Sequence, residues 1–320
     1  MIYRRPVISR VDGSCAAELR DPYGWFVMTP HAPPRGGIAA RFVRDGYIVL
    51  PDVLAADEVA ELRDEATAIC RGLRGEIGGV EPPRPGEDDD EVLRRYLCIH
   101  FPHKVSDVMM RYLAHPLVVE ALTQVIGPDV KAMQSMLFIK PSGKPGQAWH
   151  QDEYFIPTRD RSLTAAWIAL DDATVDNGCL WVIPGSHAPG VIYPQREHGD
   201  GRFDCAGEAY EFPYSDDDAV PVELAAGSAV LFNGYLLHRS LPNTSGRYRR
   251  ALACHYMSAS SLLPWYLPGP DEGMANTDMR DIVMVAGRDP YAWKGITDIN
   301  RPHVRPSGEG GCGNERNNMS

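Results

Sequence analysis

Residues 130–258 contain a series of short apolar segments separated by turn residues, and this pattern constrains the fold more than any other feature of the chain. The segments are rich in β-branched and aromatic residues, as strands are, and their sequences are KAMQSMLFIK, SLTAAWIAL, GCLWVIPG, SAVLF and RALACHYMS. Turn residues lie between them, as in Asp176-Asn177-Gly178 and Asn233-Gly234. The pattern predicts an antiparallel, all-β sandwich or barrel.

The segment before this β region has the periodicity of helices. Apolar residues recur at helical spacing from near Ala55, at Val59, Leu62, Ala66, Ile69 and Leu73. A second helix has Pro116 in its first turn and Gly127 at its C-terminal end. Pro, Gly and an acidic run mark 74–92 as a loop, and 190–220 is a long polar connection of the kind that often covers a binding site.

These segments predict the domain organisation. We expect a single domain over residues 1–305, in which a β core at about 130–260 is supported by helices at 38–127. Residues 1–37 are expected to form an irregular arm, and 306–320 a disordered tail. The sequence contains no internal repeat that would divide the domain.

Composition limits the classes of partner. The 320 residues include 32 Lys+Arg and 43 Asp+Glu, a net charge of -11, which argues against nucleic acid or an anionic membrane as the main partner. No apolar run suggests a signal peptide or a membrane span. Seven scattered cysteines without a C-x-x-C pair indicate reduced thiols. We therefore expect a cytoplasmic protein, and the sequence leaves its oligomeric state open.

The segment GQAWHQDEYFIP places His150 and Asp152 two residues apart. Residues i and i+2 of a strand project from the same face, so an extended chain would present both side chains together while Gln151 points away. One imidazole and one carboxylate are two of the three ligands of a facial iron site. His238, which follows an apolar segment, supplies a candidate third ligand. Taken alone, the first two residues would fit the surface of a strand better than a metal site.

An arginine downstream of His238 adds a second chemical feature. Arg249 lies eleven residues after His238, and arginine is the side chain that holds a carboxylate by two parallel hydrogen bonds. A dicarboxylate co-substrate would then chelate iron at one end and bind Arg249 at the other. Arg247 and Arg250 compete for this role; the spacing from His238 favours Arg249.

From about Lys131 to Tyr256 the chain resembles the phytanoyl-CoA dioxygenase family of Fe(II)/2-oxoglutarate-dependent oxygenases. The motifs that carry the resemblance are Met136-Leu137, Lys140-Pro141, His150-Gln151-Asp152, Trp167, Asn177-Gly178-Cys179-Leu180, Pro184-Gly185-Ser186-His187, His238, Ser240 and Arg249. The resemblance covers well over a third of the chain. It implies a mainly β fold, the double-stranded β-helix (jelly roll, cupin-like), with flanking N-terminal α-helices.

The same resemblance implies roles for individual residues. The iron ligands would be His150, Asp152 and His238, and Arg249 would pair with the C5 carboxylate of 2-oxoglutarate. Further contacts to 2-oxoglutarate are expected from Met136, Trp167, Ser240 and His100. Fe(II) would be the cofactor, with 2-oxoglutarate and O2 as co-substrates, and no catalytic residue is expected beyond the metal ligands. Halogenating relatives carry a small residue at the position of Asp152, so we expect hydroxylation or a related oxidation.

Other residues compete with these assignments. His187 follows Pro-Gly-Ser and is interpreted as a turn residue that bonds to the backbone. His255 lies in an apolar segment and is interpreted as a core or pocket-lining residue, while His103 and Lys104 are expected at a solvated loop end. Trp167 fits core packing as well as a pocket wall.

Few residues bear on the substrate. Candidate substrate contacts are Gln134, Gln147, Tyr154, Phe155 and Trp181. The acidic runs EDDDE and SDDD are interpreted as solvated faces, although they would favour an amine if they closed over the site. No basic groove for a coenzyme A thioester is evident. We expect a small metabolite, such as an amino-acid derivative or a natural-product intermediate, as the substrate.

The alternative functions are a non-catalytic jelly-roll protein that binds metal or ligand, and a zinc hydrolase in which Arg249 has no role.

Overall fold

The computed structural model describes residues 37–265 and 277–305. The helices are α1 (Ile38–Asp45), α2 (Ala56–Cys70), α3 (Asp89–Leu93), α4 (Asp107–Leu113), α5 (Pro116–Val125) and α6 (Asp152–Phe155). The strands are β1 (Tyr47–Leu50), β2 (Cys98–His100), β3 (Val130–Lys140), β4 (Gln147–His150), β5 (Thr164–Ala169), β6 (Leu180–Val182), β7 (Gln195–Arg196), β8 (Glu208–Ala209), β9 (Val220–Val222), β10 (Ala229–Asn233), β11 (His238–Ser240), β12 (Arg249–Ser258), β13 (Val283–Ala286) and β14 (His303–Arg305).

Two antiparallel sheets form the body of the fold and confirm the predicted jelly roll. The larger sheet has the strand order β1-β10-β5-β12-β3-β2-β14, with β13 also paired to β3. The smaller sheet has the order β4-β11-β6-β9. All five apolar segments identified in the sequence contain strands, namely β3, β5, β6, β10 and β12. Strands β1 and β2 come from the segment expected to be helical, and β13 and β14 follow residue 260, so the sheet extends beyond the predicted core.

Side chains of the larger sheet alternate between two apolar cores, because successive residues of a strand point to opposite faces. In β12, Leu252 and Tyr256 belong to the core formed with α2, α4 and α5. Ala251 and Ala253 belong to the core between the two sheets, which also contains Leu180 of β6. The odd-numbered positions 249–255 of β12 therefore face the interior between the sheets, where a polar site has to be built.

The helices largely follow the sequence pattern. Helix α2 covers the predicted amphipathic stretch from Val59 to Ile69 and ends at Cys70, so Leu73 lies in the following turn and is exposed; α5 begins at Pro116 as expected. The acidic run at 87–91 was expected to lie wholly in a loop, and this is wrong. Asp88 is the N-cap of α3: its side chain accepts a hydrogen bond from the backbone N–H of Glu91, whose side chain accepts one from the N–H of Asp88. This capping box starts a helix inside the acidic run.

The predictions about the chain ends, the cysteines and a membrane span have different outcomes. The predicted arm, up to residue 36, and the predicted tail at 306–320 lie outside the described residues, so the domain limits stay a prediction. Four of the five described cysteines are buried free thiols, namely Cys70, Cys98, Cys179 and Cys254; Cys205 departs from the expectation because it is disulfide-bonded. Within the described ranges, no helix has the length and apolar character that a membrane span needs.

Candidate metal centre

Two histidines face each other on adjacent strands of the smaller sheet. Strand β4 ends at His150 and β11 begins at His238, and the register pairs these two residues directly. Their ring centroids are 4.0 Å apart, and both side chains are buried. Antiparallel pairing thus brings together two imidazoles that are far apart in the sequence.

Asp152 completes the group from the first turn of α6. The chain was expected to be extended across 150–152; the strand instead ends at His150, but Gln151 keeps an extended backbone with φ -126 and ψ 129. Asp152 Oδ1 lies 3.8 Å from Nε2 of His150 and 3.5 Å from Nε2 of His238. The three side chains offer ligand atoms within 4.8 Å of one another. No other group of this kind occurs in the part of the chain that the structure describes.

Backbone contacts fix the tautomers of both histidines. Nδ1 of His150 lies 2.8 Å from the carbonyl oxygen of Ala148, and Nδ1 of His238 lies 2.9 Å from that of Leu236. A carbonyl oxygen can only accept a hydrogen bond, so each Nδ1 carries a proton and donates the hydrogen bond. The unprotonated Nε2 atoms are therefore the ones that face Asp152, which is the arrangement that metal-ligating histidines adopt.

The charge states also suit a divalent metal. Burial, together with His238, lowers the pKa of His150 to about 3, which keeps this ring neutral. Burial alone would raise the pKa of Asp152, but His238, His255 and His150 outweigh it and hold the pKa below its ordinary value. Two imidazole nitrogens and one carboxylate on one side of a cavity fit the facial triad of a mononuclear iron site, which leaves positions open for other ligands.

His255 holds the second oxygen of the ligand carboxylate. Its Nε2 lies 3.2 Å from Asp152 Oδ2, while Oδ1 of the same carboxylate faces His150 and His238. The sequence predicted only a core or pocket-lining histidine at this position. His255 is indeed buried and lines the cavity. The contact with Asp152 was missed because it depends on how β12 is placed against α6.

Arg249 is a buried cation with no anionic partner among the described residues. It begins β12 opposite Lys140 of β3 and is 3% exposed. Its Nε has no hydrogen-bond partner, and no described residue forms an ion pair with its side chain. The guanidinium lies 5.3 Å from the ring centroid of Trp167 and 5.8 Å from that of Phe138. Burial lowers the pKa of Arg249 to about 10, so it stays charged at neutral pH. A buried, unpaired charge of this kind calls for an anionic ligand.

The triad and Arg249 line one cavity of about 410 Å³. Seven of the nine further residues predicted to contact 2-oxoglutarate or the substrate line it as well: His100, Gln134, Met136, Gln147, Phe155, Trp167 and Ser240. Tyr154 and Trp181 are absent from the described lining residues. Tyr154 is 47% exposed, and Trp181 packs against the apolar clusters beside β6. Ser240 Oγ accepts hydrogen bonds from Lys140 Nζ at 3.3 Å and from the N–H of Gln147 at 3.2 Å.

The competing arginines are engaged elsewhere. Arg247 forms an ion pair with Asp176 at 3.3 Å, and Arg250 forms one with Asp171 at 2.8 Å. Neither of them lines the cavity. Of the three candidates for the carboxylate clamp, only Arg249 therefore faces the cavity with its charge unbalanced.

The remaining histidines and Lys104 have structural contacts. His187 Nε2 lies 3.1 Å from the carbonyl oxygen of Val43, in keeping with its interpretation as a turn residue. The prediction of a solvated loop end is wrong for His103, which is 6% exposed with Nδ1 2.5 Å from Ser135 Oγ. Lys104 contacts Asp281 at 2.6 Å, an ion pair between distant segments that no local pattern could reveal.

The cavity also contains residues that the sequence analysis did not single out. They include Phe138, Leu180, Phe232, Arg239, Trp265 and Arg305. Phe138, Leu180 and Phe232 follow from strand alternation once the strand order is known. Arg305 reaches the cavity only because β14 pairs with β2 at the edge of the larger sheet, which its position in the sequence does not indicate.

A jelly roll that carries a two-histidine, one-carboxylate triad and a buried arginine in one cavity defines the class of mononuclear non-haem iron oxygenases that use a 2-oxo acid. The comparisons agree: residues 42–251 match the family model described as phytanoyl-CoA dioxygenase (PhyH). The chain belongs to this family of Fe/2-oxoglutarate-dependent oxygenases, and His150, Asp152 and His238 are its iron-binding triad.

Individual relatives and solved structures agree with this family and fold. Phytanoyl-CoA dioxygenase 1 of Oryza sativa subsp. japonica is 29% identical over 257 residues, which cover 70% of this chain and 90% of the relative. Apo ThoJ, a non-haem monooxygenase, has a TM-score of 0.63 at 24% identity, with 83% of this chain and 88% of ThoJ covered, and it supports the fold. The epimerase SnoN in complex with Fe³⁺, α-ketoglutarate and nogalamycin RO has a TM-score of 0.54 at 26% identity, with 75% and 93% covered.

Proposed function

We propose that this oxygenase hydroxylates an unactivated C–H bond of a small metabolite and releases succinate and CO2. In the balanced reaction, 2-oxoglutarate and the C–H bond each supply two electrons to O2. One oxygen atom enters succinate, and the other enters the product as a hydroxyl group. Iron bound at the triad would supply the activation of O2. The protein's own residues would bind the two substrates, orient them and exclude water.

The observation that carries this proposal is the environment of Arg249. Arg249 is 3% exposed, has no anionic partner among the described residues and lines the cavity of the triad. A dicarboxylate that chelates the metal through one end would present its other carboxylate to this arginine, which can bind it with two parallel hydrogen bonds. A simple metal-binding protein or a zinc hydrolase has no use for such a group.

Other cavity residues take supporting roles in the proposal. Ser240, Met136, Trp167 and His100 would contact 2-oxoglutarate, and all four line the cavity. Asp152 would occupy the third protein position on iron, with its second oxygen held by His255 at 3.2 Å. Because the carboxylate of Asp152 would fill that coordination position, a halide could not bind iron there. This favours hydroxylation over halogenation.

The substrate is proposed by class. We propose an amino-acid derivative or a natural-product intermediate, taken up in the cytoplasm, with Gln134, Gln147 and Phe155 among its contacts. The rice relative is named for phytanoyl-CoA, and SnoN is an epimerase bound to nogalamycin RO in its structure. The two names describe different reactions, and the mass of the product distinguishes hydroxylation, which adds one oxygen atom, from epimerisation, which leaves the mass unchanged.

Succinate formation tests the proposal. Purified protein supplied with Fe(II), 2-oxoglutarate and air should form succinate, slowly without a substrate and faster with one. Arg249→Ala should abolish this turnover and raise the Kd for 2-oxoglutarate by at least tenfold, because the buried charge that binds the second carboxylate is lost. Arg247→Ala is the matched control: it removes an exposed arginine two residues away and should leave both values unchanged.

Three results would contradict the proposed function in whole or in part. If iron and 2-oxoglutarate bind but no metabolite in a broad screen yields succinate, the protein is a non-catalytic binding protein. If the purified protein selects another metal and has no affinity for 2-oxoglutarate, the assignment of Arg249 is wrong. Stimulation by acyl-CoA thioesters alone would refute the small-metabolite class while leaving the oxygenase in place.

A further inference from the structure

The charged side chains that line the cavity are mostly cationic. Among the described lining residues, Arg239, Arg249 and Arg305 carry guanidinium groups, and Asp152 is the one carboxylate. Asp152 is committed to the metal and, under the proposed function, Arg249 is committed to 2-oxoglutarate. The charges that remain for the prime substrate are therefore two arginines.

Arg305 is held in a fixed orientation. It lies at the end of β14, opposite Cys98 of β2. Its Nη2 is 2.9 Å from Oδ2 of Asp204, which is 4% exposed, and its Nη1 donates to Oε1 of Gln147 at 3.4 Å. A guanidinium has five N–H donors in a rigid fork. These two contacts fix the group and leave donors for an oxyanion, with little side-chain entropy left to lose on binding.

The charge of Arg239, like that of Arg305, is balanced by a carboxylate that lies outside the cavity. Its Nη1 contacts both carboxylate oxygens of Asp216, at 3.1 and 3.0 Å, and its guanidinium stacks 4.4 Å from the ring centroid of Trp149. Neither Asp216 nor Asp204 lines the cavity. The acidic run at 216–218 thus supplies no carboxylate to the cavity wall, and the feature that would have favoured an amine substrate is not present there.

Neutral polar groups line the same cavity as Arg305. His100 stacks on His303, with ring centroids 4.8 Å apart and an interplanar angle of 5°. Burial and the charge of Arg305 lower the pKa of His100 to about 3, so His100 is a neutral imidazole. The indole Nε1 of Trp265, another lining residue, is buried without a hydrogen-bond partner. The cavity wall therefore offers an unpartnered hydrogen-bond donor in addition to the arginine charges.

We propose that the prime substrate carries an oxyanion, a carboxylate or a phosphate group, that Arg305 binds. The proposal rests on the proposed function for the assignment of Arg249 to 2-oxoglutarate. Arg305 lies outside residues 42–251, which match the family model, so membership of the family does not assign this residue a role. Recognition of the substrate would instead come from the C-terminal strand β14.

A set of probes with one alkyl chain and different head groups tests the charge preference. The probes are octanoate, octyl phosphate, octylamine, methyl octanoate and octanoyl-CoA. Binding is followed by tryptophan fluorescence, since Trp167 and Trp265 line the cavity, in protein loaded with Ni(II) and 2-oxoglutarate to prevent turnover. The two small anions should bind at least tenfold more tightly than the amine and the ester, and the tighter of the two identifies the source of the oxyanion.

Variants of Arg305 then test the residue. Arg305→Gln should raise the Kd for octanoate and octyl phosphate by about ten- to a hundredfold, as expected for loss of a charged hydrogen-bond donor. The Kd for 2-oxoglutarate should change less than twofold. Because Arg305→Gln leaves the buried Asp204 unpaired, the double variant Arg305→Gln/Asp204→Asn is measured beside it. Arg301→Gln, which removes an exposed arginine paired with Asp298, is the control and should have no effect.

The outcomes separate this proposal from the proposed function. Equal or absent binding of all five probes, tighter binding of octylamine, or binding of octanoyl-CoA alone would overturn the role of Arg305. An equal rise in the Kd for 2-oxoglutarate would reassign Arg305 to the co-substrate and also overturn it. The probe titrations need no turnover, so a protein that prefers anions but forms no succinate would refute the oxygenase and leave the anion site standing.

Discussion

At the scale of single residues, Asp152 makes different contacts with its two oxygens. Oδ1 faces the Nε2 atoms of His150 and His238, and Oδ2 lies 3.2 Å from Nε2 of His255. A carboxylate on the first turn of a short helix could rotate about its side-chain bonds. The contact with His255 limits that rotation, so His255 is a positioning residue for the metal site.

His255→Ala should weaken iron binding while leaving the three ligands in place. Loss of such an outer hydrogen bond typically costs about ten- to a hundredfold in metal affinity. The affinity is measured by titrating metal-free protein with Co(II) and following its visible absorption, which needs no catalysis. His187→Ala removes a histidine that hydrogen-bonds to the carbonyl oxygen of Val43 and does not line the cavity, and it is the matched control. An unchanged Co(II) affinity in His255→Ala would show that Asp152 holds its orientation without help.

The triad and Arg249 could be predicted because they lie in short linear motifs whose spacing reflects the chemistry. The contact between His255 and Asp152 could not be predicted, because it depends on how β12 is placed against α6. The position of Arg305 in the cavity could not be predicted for a similar reason: only the pairing of β14 with β2 brings it there. Tyr154 is close to Asp152 in sequence and was predicted to contact the substrate, but it is exposed because α6 turns the chain immediately after the ligand.

At the scale of elements, connections between strands set the geometry of the site. Gln151, fully buried between two ligands, donates to the carbonyl oxygens of Val191 and Tyr235 and accepts from the N–H of Tyr193. It thereby ties the start of the 190–220 connection to the turn before His238. The strands themselves were predictable from their apolar sequences; the short β4 and β11 carry the ligands and have little apolar signal of their own.

The conformation of the turn before β6 requires a glycine at position 178 because the neighbouring residues pack closely against it. Gly178 has φ +82, and a Cβ there would lie 2.7 Å from Nζ of Lys140 and would also clash with the carbonyl oxygen of Leu241. Gly86 has the same φ of +82, but a Cβ would meet nothing within 4 Å. The two positions therefore separate the cost of the backbone conformation from the cost of crowding.

Gly86→Ala should lower the free energy of unfolding by about 1 kcal/mol, the cost of a left-handed residue with a Cβ. Gly178→Ala should cost about 1 to 3 kcal/mol more, because the added methyl group overpacks the contact with Leu241 and Lys140. Urea unfolding of both variants and the wild type gives the difference. Equal losses would mean that the turn relaxes without disturbing β3 or the loop after β11.

At the scale of the whole molecule, burial of neutral histidines makes stability depend on pH. Burial lowers the pKa of His103 to about 4 from an ordinary value of 6.5, with Lys104 contributing in the same direction. Between these two values the unfolded chain binds a proton that the folded protein does not. The free energy of unfolding therefore falls as the pH falls through this range.

His103→Asn should make the free energy of unfolding less sensitive to acid. The slope of that free energy against pH, measured by urea unfolding of metal-free protein from about pH 6.5 down to about pH 4, should decrease by up to about 1.4 kcal/mol per pH unit. The slope is informative even if the variant is less stable at every pH. A slope equal to that of the wild type would mean that His103 becomes protonated in the folded state.

The helical layer and the two sheets were foreseeable as a class of fold, but the assembly of the C-terminal segment was not. Strands β13 and β14 are short and weakly apolar, and they join the larger sheet through pairing with β3 and β2. The ion pair between Lys104 and Asp281 links this segment to the region before α4. Such long-range contacts have no local sequence signature, although they complete the cavity wall.

The measurement that tests the central claim most directly is the mass of succinate formed under oxygen-18 gas. The protein is supplied with Fe(II) and 2-oxoglutarate, with Arg249→Ala run in parallel. An Fe/2-oxoglutarate-dependent oxygenase should place one labelled oxygen atom in each succinate molecule, and Arg249→Ala should form none. Succinate without the label, or equal labelled succinate from Arg249→Ala, would contradict the account of this site.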